Sequence, residues 1–526
     1  MSATPATRAS LRSVDVAHAR SALVRATVVV DRDQAIGEVD RRLFGSFVEH
    51  LGRCVYGGIF EPESPLSDPN GFREDVAALI RELGVTVVRY PGGNFVSGYR
   101  WEDGVGPRDS RPSRLNLAWH TTDSNSFGLH EFVDWCAKVG VEPMFAVNLG
   151  TRGIEEALDM LEYSNHPGGT TLSDRRIANG APDPFGVRMW CLGNEPDGPW
   201  QLGRKTAVEY GRLAAETARG MRQFDAKLQL VVAGHTAPWL PSSADWDRIV
   251  LDETVEFADY VAVHIYVQEV ERDIQTFLAS GVELDREIER AIAEADAAAA
   301  RRGVDRTLAV SVDEWGVWRD VDLKAPKPQD WPVERRMGES TYTAGDAVVT
   351  GALIVSLLNH ADRVTCACQS MLVNAGAPIR AEADGVWRSS VFHPFRLAAR
   401  HARGTALRAT IEAPEIETRK YGRVPALDVA ATLDEAQAEL VLFLVNRNAS
   451  ETAHAAVRLG SWPEARLIEA LVIGGGDPWE TSTRERPEGV VPRELPEAAI
   501  VGDSLELVLP AASWSVVRLA TKPEPR

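Results

Sequence analysis

Two glutamates close apolar, β-rich runs that lie far apart in the chain. Glu195 ends VRMWCLGNE (187–195) and Glu314 ends LAVSVDE (308–314). Paired carboxyl groups suit the hydrolysis of an acetal, where one protonates the leaving oxygen and the other meets the developing oxocarbenium ion. A separation near ~5 Å gives a covalent route with retention of configuration. The two groups must then differ in protonation at rest, so their surroundings must differ. Asn194, next to Glu195, can hydrogen-bond a sugar hydroxyl, and Arg89 and Tyr266 can hold Glu314 ionised and aimed. The structural alternative is that both glutamates only pair with buried arginines.

Other polar residues end similar runs: Glu49 with His50, Arg89 before Pro91-Gly92-Gly93-Asn94, Asn148, His264 with Tyr266, and Asp313. Any one of them could be a cap or a loop residue, but together they imply one wet pocket. Phe47, Tyr56, Trp101, Trp119, Trp200, Trp315 and Trp318 cluster in the same stretches. Rings of this kind stack on sugar faces, and ordinary packing is expected for about half of them. His264, His235, Asp313 and Glu49 could supply metal ligands, but HExxH is absent and a lone His at a strand end is more often a hydrogen-bond donor. No metal is expected. A Ser-His-Asp site is equally weak, because no GxSxG elbow follows a strand.

These residues need a scaffold that gathers strand ends. Eight short apolar runs occur at 43–50, 85–91, 142–148, 187–195, 228–234, 260–266, 308–314 and 364–370. Near-continuous apolar character fits strands buried on both faces. Amphipathic helical patterns separate them, for example at 71–84, 205–224 and 284–303. Eight β-then-α units predict a (β/α)₈ TIM barrel, whose chemistry collects at the C-terminal ends of the strands. The rival is an open doubly wound sheet. After about residue 400 the helical period fades, and short alternating strands with Gly, Pro, Asn and Asp turns predict a jelly-roll-like β-sandwich. The expected division is a disordered tail (1–20), an N-terminal strand joining the sandwich (21–40), the barrel (41–397) and the sandwich (398–526). The GGG at 474–476 opens no helix and lacks a phosphate-loop Lys, so no cofactor is expected.

Composition agrees with a globular chain of 526 residues, 44% hydrophobic and 25% charged. A net charge of -19 leaves no electrostatic footprint for nucleic acid and is repelled by anionic lipid. A neutral partner such as a glycan fits. No run of roughly 18 apolar residues occurs, so no membrane span is expected. The N-terminus lacks the apolar stretch of a signal peptide. Five scattered cysteines without a CxxC pair point to buried free thiols in a reducing, cytoplasmic setting.

Longer motifs carry a family likeness. They are FGSFVEHLGRCVYGGIFEPESP (44–65), VRYPGGNFVSGYRWEDGVGP (88–107), LNLAW (115–119), MFAVNLGTRG (144–153), WCLGNEPDGPWQLGRKTAVEYG (190–211) and DEWGVW (313–318). With these the chain resembles the α-L-arabinofuranosidases of glycoside hydrolase family 51, from about residue 25 to the end. The resemblance implies exo-acting, retaining release of terminal α-L-arabinofuranosyl residues from arabino-oligosaccharides. It implies Glu195 as acid/base and Glu314 as nucleophile. It implies furanose contacts from Glu49, Asn94 and Asn194, and pocket walls from Trp119 and Trp318. Arg89, His264 and Tyr266 would support the nucleophile. Such enzymes are cytoplasmic homo-oligomers, often hexamers, with no catalytic metal.

Some positions depart from the pattern. Met371, in CQSMLVNAGAPI, stands where a sugar-binding Gln is usual, and Met cannot donate. Gln369 is the candidate replacement. HIYV stands for a more usual HQYY-like run, and Gly316 for Asn. These changes bear on the sugar, and a D-galactofuranoside is the alternative substrate. A carbohydrate-binding barrel without catalysis and a metal-dependent hydrolase are the alternative classes.

Overall fold

The computed structural model describes residues 24–319 and 330–522. The expected N-terminal tail lies outside the described residues. Among these residues, eight strands close into a barrel: β1 (Gly45–Phe47), β2 (Val87–Tyr90), β3 (Glu142–Ala146), β4 (Met189–Leu192), β5 (Gln229–Val232), β6 (Tyr260–Val267), β7 (Ala309–Val317) and β8 (Val364–Gln369). Each pairs in parallel with its sequence neighbour, and β8 returns to β1 through Cys368 opposite Gly45. The closed parallel order excludes the open doubly wound sheet.

The helices that link these strands form where the expected amphipathic patterns lie. Glu74–Leu83 buries Val76, Ala77, Leu79, Ile80 and Leu83, one face at helical spacing, and stops at Gly84 in a left-handed conformation. Ala207–Phe224 starts at Thr206, whose hydroxyl and the Glu209 carboxylate form a capping box. Gly281–Arg302 carries the Ala-rich end of the third pattern.

Ala344–Asn359 differs, because every side chain from Ala344 to Leu358 is buried. A helix that is apolar all round needs cover on all sides. The barrel supplies one side and the C-terminal sheet the other. At Gly351 a Cβ would come 2.3 Å from the Trp514 ring, so only glycine admits that indole. The barrel core therefore continues into Phe443, Trp514 and Val516 of the sheet.

The C-terminal strands join one hydrogen-bonded sheet of ten among the described residues. It curls into a sandwich. The strands at Arg466–Gly474 and Ala498–Val501 approach each other, and one inner core takes Leu442 and Leu444 from one half and Val457 and Leu507 from the other. The N-terminal strand Val24–Glu38 lies inside this sheet, antiparallel to Thr405–Glu412 and parallel to Ala453–Arg458. Its Val24, Ala26, Val28 and Val30 alternate inward. A separate hairpin, Glu415–Thr418 with Gly422–Pro425, leaves the sheet toward the barrel. All five cysteines are buried and unpaired.

Candidate active site

The C-terminal ends of the barrel strands surround a cavity of about 670 Å³. Glu195, Glu314, Glu49, Asn94, Trp119, His264, Tyr266, Trp318 and Met371 all line it. Asn194 and Arg89 sit just beneath the floor.

Backbone geometry sets the two central carboxyl groups. After β4, Gly193 and Glu195 both take positive φ (89° and 41°), which turns the chain sharply and brings Glu195 back over the strand end. The Glu195 carbonyl accepts from Gly198 N at 2.9 Å and closes the turn. Glu314 lies within β7, where the pairing register with β6 shifts between Ser311 and Glu314. In a regular strand, neighbours 313 and 314 would face opposite sides. The irregularity lets both meet one arginine, a common use of strand bulges near active sites. One oxygen of Glu195, one of Glu314 and a ring nitrogen of His264 lie within 4.8 Å of one another. That carboxyl spacing belongs to the retaining class, since the inverting geometry needs about 6.5–9.5 Å.

Arg89 organises the floor. Its Nη1 donates to Glu314 Oε1 at 2.7 Å, its Nη2 donates to Asn194 Oδ1 at 2.8 Å, and its Nε lies 3.4 Å from Asp313 Oδ2. The guanidinium sits over the Phe47 ring at 5.0 Å. Burial opposes its charge, but Asp313 and Glu314 outweigh burial and hold Arg89 firmly cationic. The Tyr266 hydroxyl donates to the other Glu314 oxygen at 2.7 Å and lies 2.8 Å from Ser370 Oγ. Glu314 thus has a donor on each oxygen, which fixes the direction of its lone pairs.

The environment of Glu195 is different. Burial, with the nearby Glu314 charge, raises its pKa against the donors on His264 (3.1 Å) and Trp200 (2.8 Å). These surroundings favour the protonated form of Glu195. His264 is the cation between them. Burial alone would lower its pKa, but Glu314, Asp313 and Glu195 raise it to about 10. Its Nε2 lies 3.4 Å from Asp313, and its Nδ1 lies 3.7 Å from Glu314. His264 thus sits between the two glutamates, closer to Glu195 than to Glu314. The Glu195–His264–Glu314 group is compact enough for a cation. Both His264 nitrogens face carboxyl groups, which ties the ring into this acidic cluster. His235 lies elsewhere, bound to Asp247 at 2.7 Å and Glu287 at 3.0 Å.

Glu49 closes the inner end. It accepts from Phe95 N at 2.7 Å and from Trp119 Nε1 at 2.9 Å. Burial still pushes its pKa up to about 8. Gly92 and Gly93 pass directly over it. A Cβ on Gly92 would stand 2.4 Å from Glu49 Cγ, and one on Gly93 would stand 3.1 Å from Glu314 Oε1. The double glycine is the condition for that close approach. Trp318 meets Tyr266 edge-on with ring centroids 5.5 Å apart. Asn194 is held by its Oδ1, while its Nδ2 is buried with no hydrogen-bond partner among the described residues.

Several strand-end residues serve the scaffold instead. His50 is buried against Asp123 and Tyr90, and Asn148 binds the backbone of Gly150, Thr151 and Tyr99. Tyr56, Trp101 and Trp315 are packing residues, whereas Phe47, Trp119, Trp200 and Trp318 reach the cavity. Gln369 does not line the cavity, so it does not replace the absent sugar-binding Gln; Ser370 and Met371 occupy that wall. The sequence reading missed Trp239, which is 70% exposed and lies 5.9 Å from Trp200 at the mouth. It also missed Asp197, which clamps the loop leading to Trp239 by accepting from Thr236 N (3.1 Å), Thr236 Oγ1 and Ser242 Oγ (2.6 Å). No periodic signal marks either one.

Similarity to known proteins agrees with this geometry. Residues 79–279 match the α-L-arabinofuranosidase 1 domain, and residues 313–513 match the α-L-arabinofuranosidase C-terminal domain. The chain is 46% identical over 499 residues to an intracellular exo-α-(1→5)-L-arabinofuranosidase of Streptomyces lividans, covering 94% of this chain and 75% of the relative. It is also 46% identical over 512 residues to an exo-α-(1→6)-L-arabinofuranosidase of Bifidobacterium longum, covering 94% and 98%. A solved family 51 α-L-arabinofuranosidase from Bifidobacterium longum superposes with a TM-score of 0.90 at 43% identity, covering 94% and 99%. Matches of this length and identity span both the barrel and the sheet, and the chain belongs to the family 51 α-L-arabinofuranosidases.

Proposed function

We propose that the protein is an exo-acting, retaining α-L-arabinofuranosidase that releases terminal non-reducing arabinofuranosyl residues. The observation that carries the proposal is a pair of carboxyl groups with oxygens within 4.8 Å at the closed end of one cavity, Glu314 ion-paired to Arg89 and Glu195 with its pKa raised by burial. In this reading Glu314 attacks the anomeric carbon while Glu195 protonates the departing oxygen. Glu195, then ionised, takes a proton from water, and that water releases the sugar from Glu314 with net retention. Glu49, Asn94 and Asn194 serve the furanose hydroxyls, Asn194 from beneath the floor, and Trp119 and Trp318 wall the ring. Arg89 and Tyr266 keep Glu314 aimed throughout.

The family relationship does not favour a D-galactofuranoside or a non-catalytic barrel. Relatives named for 1→5 and for 1→6 linkages stand at equal identity, so we assign the arabinofuranosyl group and not the linkage. The described residues contain no helix long and apolar enough to cross a membrane, and the Streptomyces relative is named intracellular, which supports a cytoplasmic setting. A homo-oligomer, as a hexamer, belongs to the same proposal, and light scattering after gel filtration tests it.

The main test follows 4-nitrophenyl α-L-arabinofuranoside by proton NMR. The first sugar released should be the α-anomer, with the β-anomer appearing only by mutarotation. Initial release of the β-anomer would overturn the retaining assignment.

A further inference from the structure

The hairpin that leaves the C-terminal sheet reaches the substrate cavity. Its turn, Arg419-Lys420-Tyr421, is stiffened by Thr418, whose hydroxyl donates to Gly422 O at 2.8 Å and accepts from Tyr421 N at 3.0 Å. The hairpin is anchored on the barrel side. Tyr421 and Val424 are buried against Ala279, and Arg419 N donates to Thr276 Oγ1 at 2.9 Å. The Lys420 ammonium contacts both oxygens of Glu283 at 2.6 Å, and the Tyr421 hydroxyl donates to the same carboxylate at 2.9 Å. Glu283 sits near the start of the Gly281–Arg302 helix, so a residue from the sheet and one from the barrel form a single pair.

Both members of that pair line the cavity that holds Glu195 and Glu314. A second hollow of about 330 Å³ shares Tyr266, Gln268, Glu283 and Lys420 with it and continues along the hairpin. Depth separates the two ends. The Glu49 and Glu314 side chains are enclosed, whereas the Lys420 side chain is 57% exposed. An enzyme that removes one terminal sugar holds that sugar at the closed end, and the rest of the glycan leaves through the mouth. Lys420 therefore stands on the exit path. Its third N–H and the outer lone pairs of Glu283 offer a donor beside acceptors, the complement of a sugar diol.

We propose that Lys420 and Glu283 form a binding site for the leaving part of the glycan, and that the hairpin makes the C-terminal sheet a specificity element of the reaction. This rests on the arabinofuranosidase reading above. The site takes a neutral oligosaccharide, and it acts on the sugars beyond the scissile bond.

The test compares Lys420→Ala, Lys420→Arg and Glu283→Gln with the wild type on α-(1→5)-arabinotriose and on 4-nitrophenyl α-L-arabinofuranoside. The ratio of kcat/KM for the trisaccharide to kcat/KM for the aryl glycoside should fall about 3- to 10-fold in Lys420→Ala, the worth of one hydrogen bond, and should recover in part in Lys420→Arg. The loss should appear mainly in KM. Arg423→Ala, on the exposed side of the hairpin and paired with Glu415 at 3.0 Å, is the folding control and should leave the ratio at the wild-type value. A ratio unchanged in both Lys420→Ala and Glu283→Gln would overturn the proposal, as would an equal loss on both substrates. Failure of the wild type on both substrates would instead overturn the arabinofuranosidase reading itself.

Discussion

Replacing Glu195 by Ala separates the two steps of the proposed reaction. The side chain has two duties, to protonate the leaving oxygen and later to deprotonate water. The first matters only when the leaving group is a poor one. General-acid assistance is worth about 10²- to 10⁴-fold, or about 2.7–5.4 kcal/mol at 1.36 kcal/mol per tenfold. A nitrophenolate departs with little help, so kcat/KM for 4-nitrophenyl α-L-arabinofuranoside should fall less than about tenfold. For an arabinobiose the full factor should be lost. The second duty cannot be bypassed by a good leaving group. With no base, the glycosyl-enzyme on Glu314 should persist on the aryl glycoside, and kcat should fall for both substrates while KM falls for the aryl glycoside. The cavity also gains the volume of a carboxymethyl group beside His264 and Trp200, which partner Glu195 at 3.1 and 2.8 Å. Azide fits there, and its addition should restore kcat on the aryl glycoside and yield an arabinosyl azide. The assay is steady-state kinetics on both substrates with and without azide, and intact-protein mass spectrometry for the trapped sugar. Equal losses of kcat/KM on the two substrates would refute the assignment of the proton to Glu195, and so would a trapped sugar on any residue other than Glu314.

The pH profile should follow the same proton. Because burial and Glu314 raise the Glu195 pKa, the protonated acid is present below that value and lost above it, so kcat/KM falls on the alkaline side; in Glu195→Ala this limb should be absent on the aryl glycoside. Glu49→Gln should weaken sugar binding and raise stability. The Glu49 pKa of about 8 means that folding is opposed progressively as pH rises from about 4.5, the unfolded value, to about 8, and is opposed constantly above that. The gain in Tm should therefore grow between pH 5 and about pH 8, and a Tm difference independent of pH would contradict the burial argument. Tyr266→Phe removes the 2.7 Å donor to Glu314 Oε2, a hydrogen bond to a charged group worth about 1.5–3 kcal/mol, and kcat/KM should fall about 10- to 150-fold. Unchanged kinetics would mean that Arg89 alone aims the carboxylate.

The amino-acid sequence determined the strand runs, because burial on both faces writes a continuous apolar segment that is visible without knowing its neighbours. It determined which residues end those runs, and hence Glu195, Glu314, Glu49 and Tyr266 as neighbours of one mouth. What it left open depends on pairing between segments. The register shift that turns both Asp313 and Glu314 toward Arg89 exists only because β6 and β7 slip past each other. His264 lies between the two glutamates only once β6 is placed beside β7. Trp239 and the Arg419-Lys420-Tyr421 turn belong to loops, whose positions follow from long-range anchors such as Asp197 and Glu283 and carry no period of their own. Periodicity is a local property of a chain. The distance between two side chains more than a hundred residues apart is not, and in this protein tertiary packing alone brought the Glu195 and Glu314 carboxyl groups within 4.8 Å of each other.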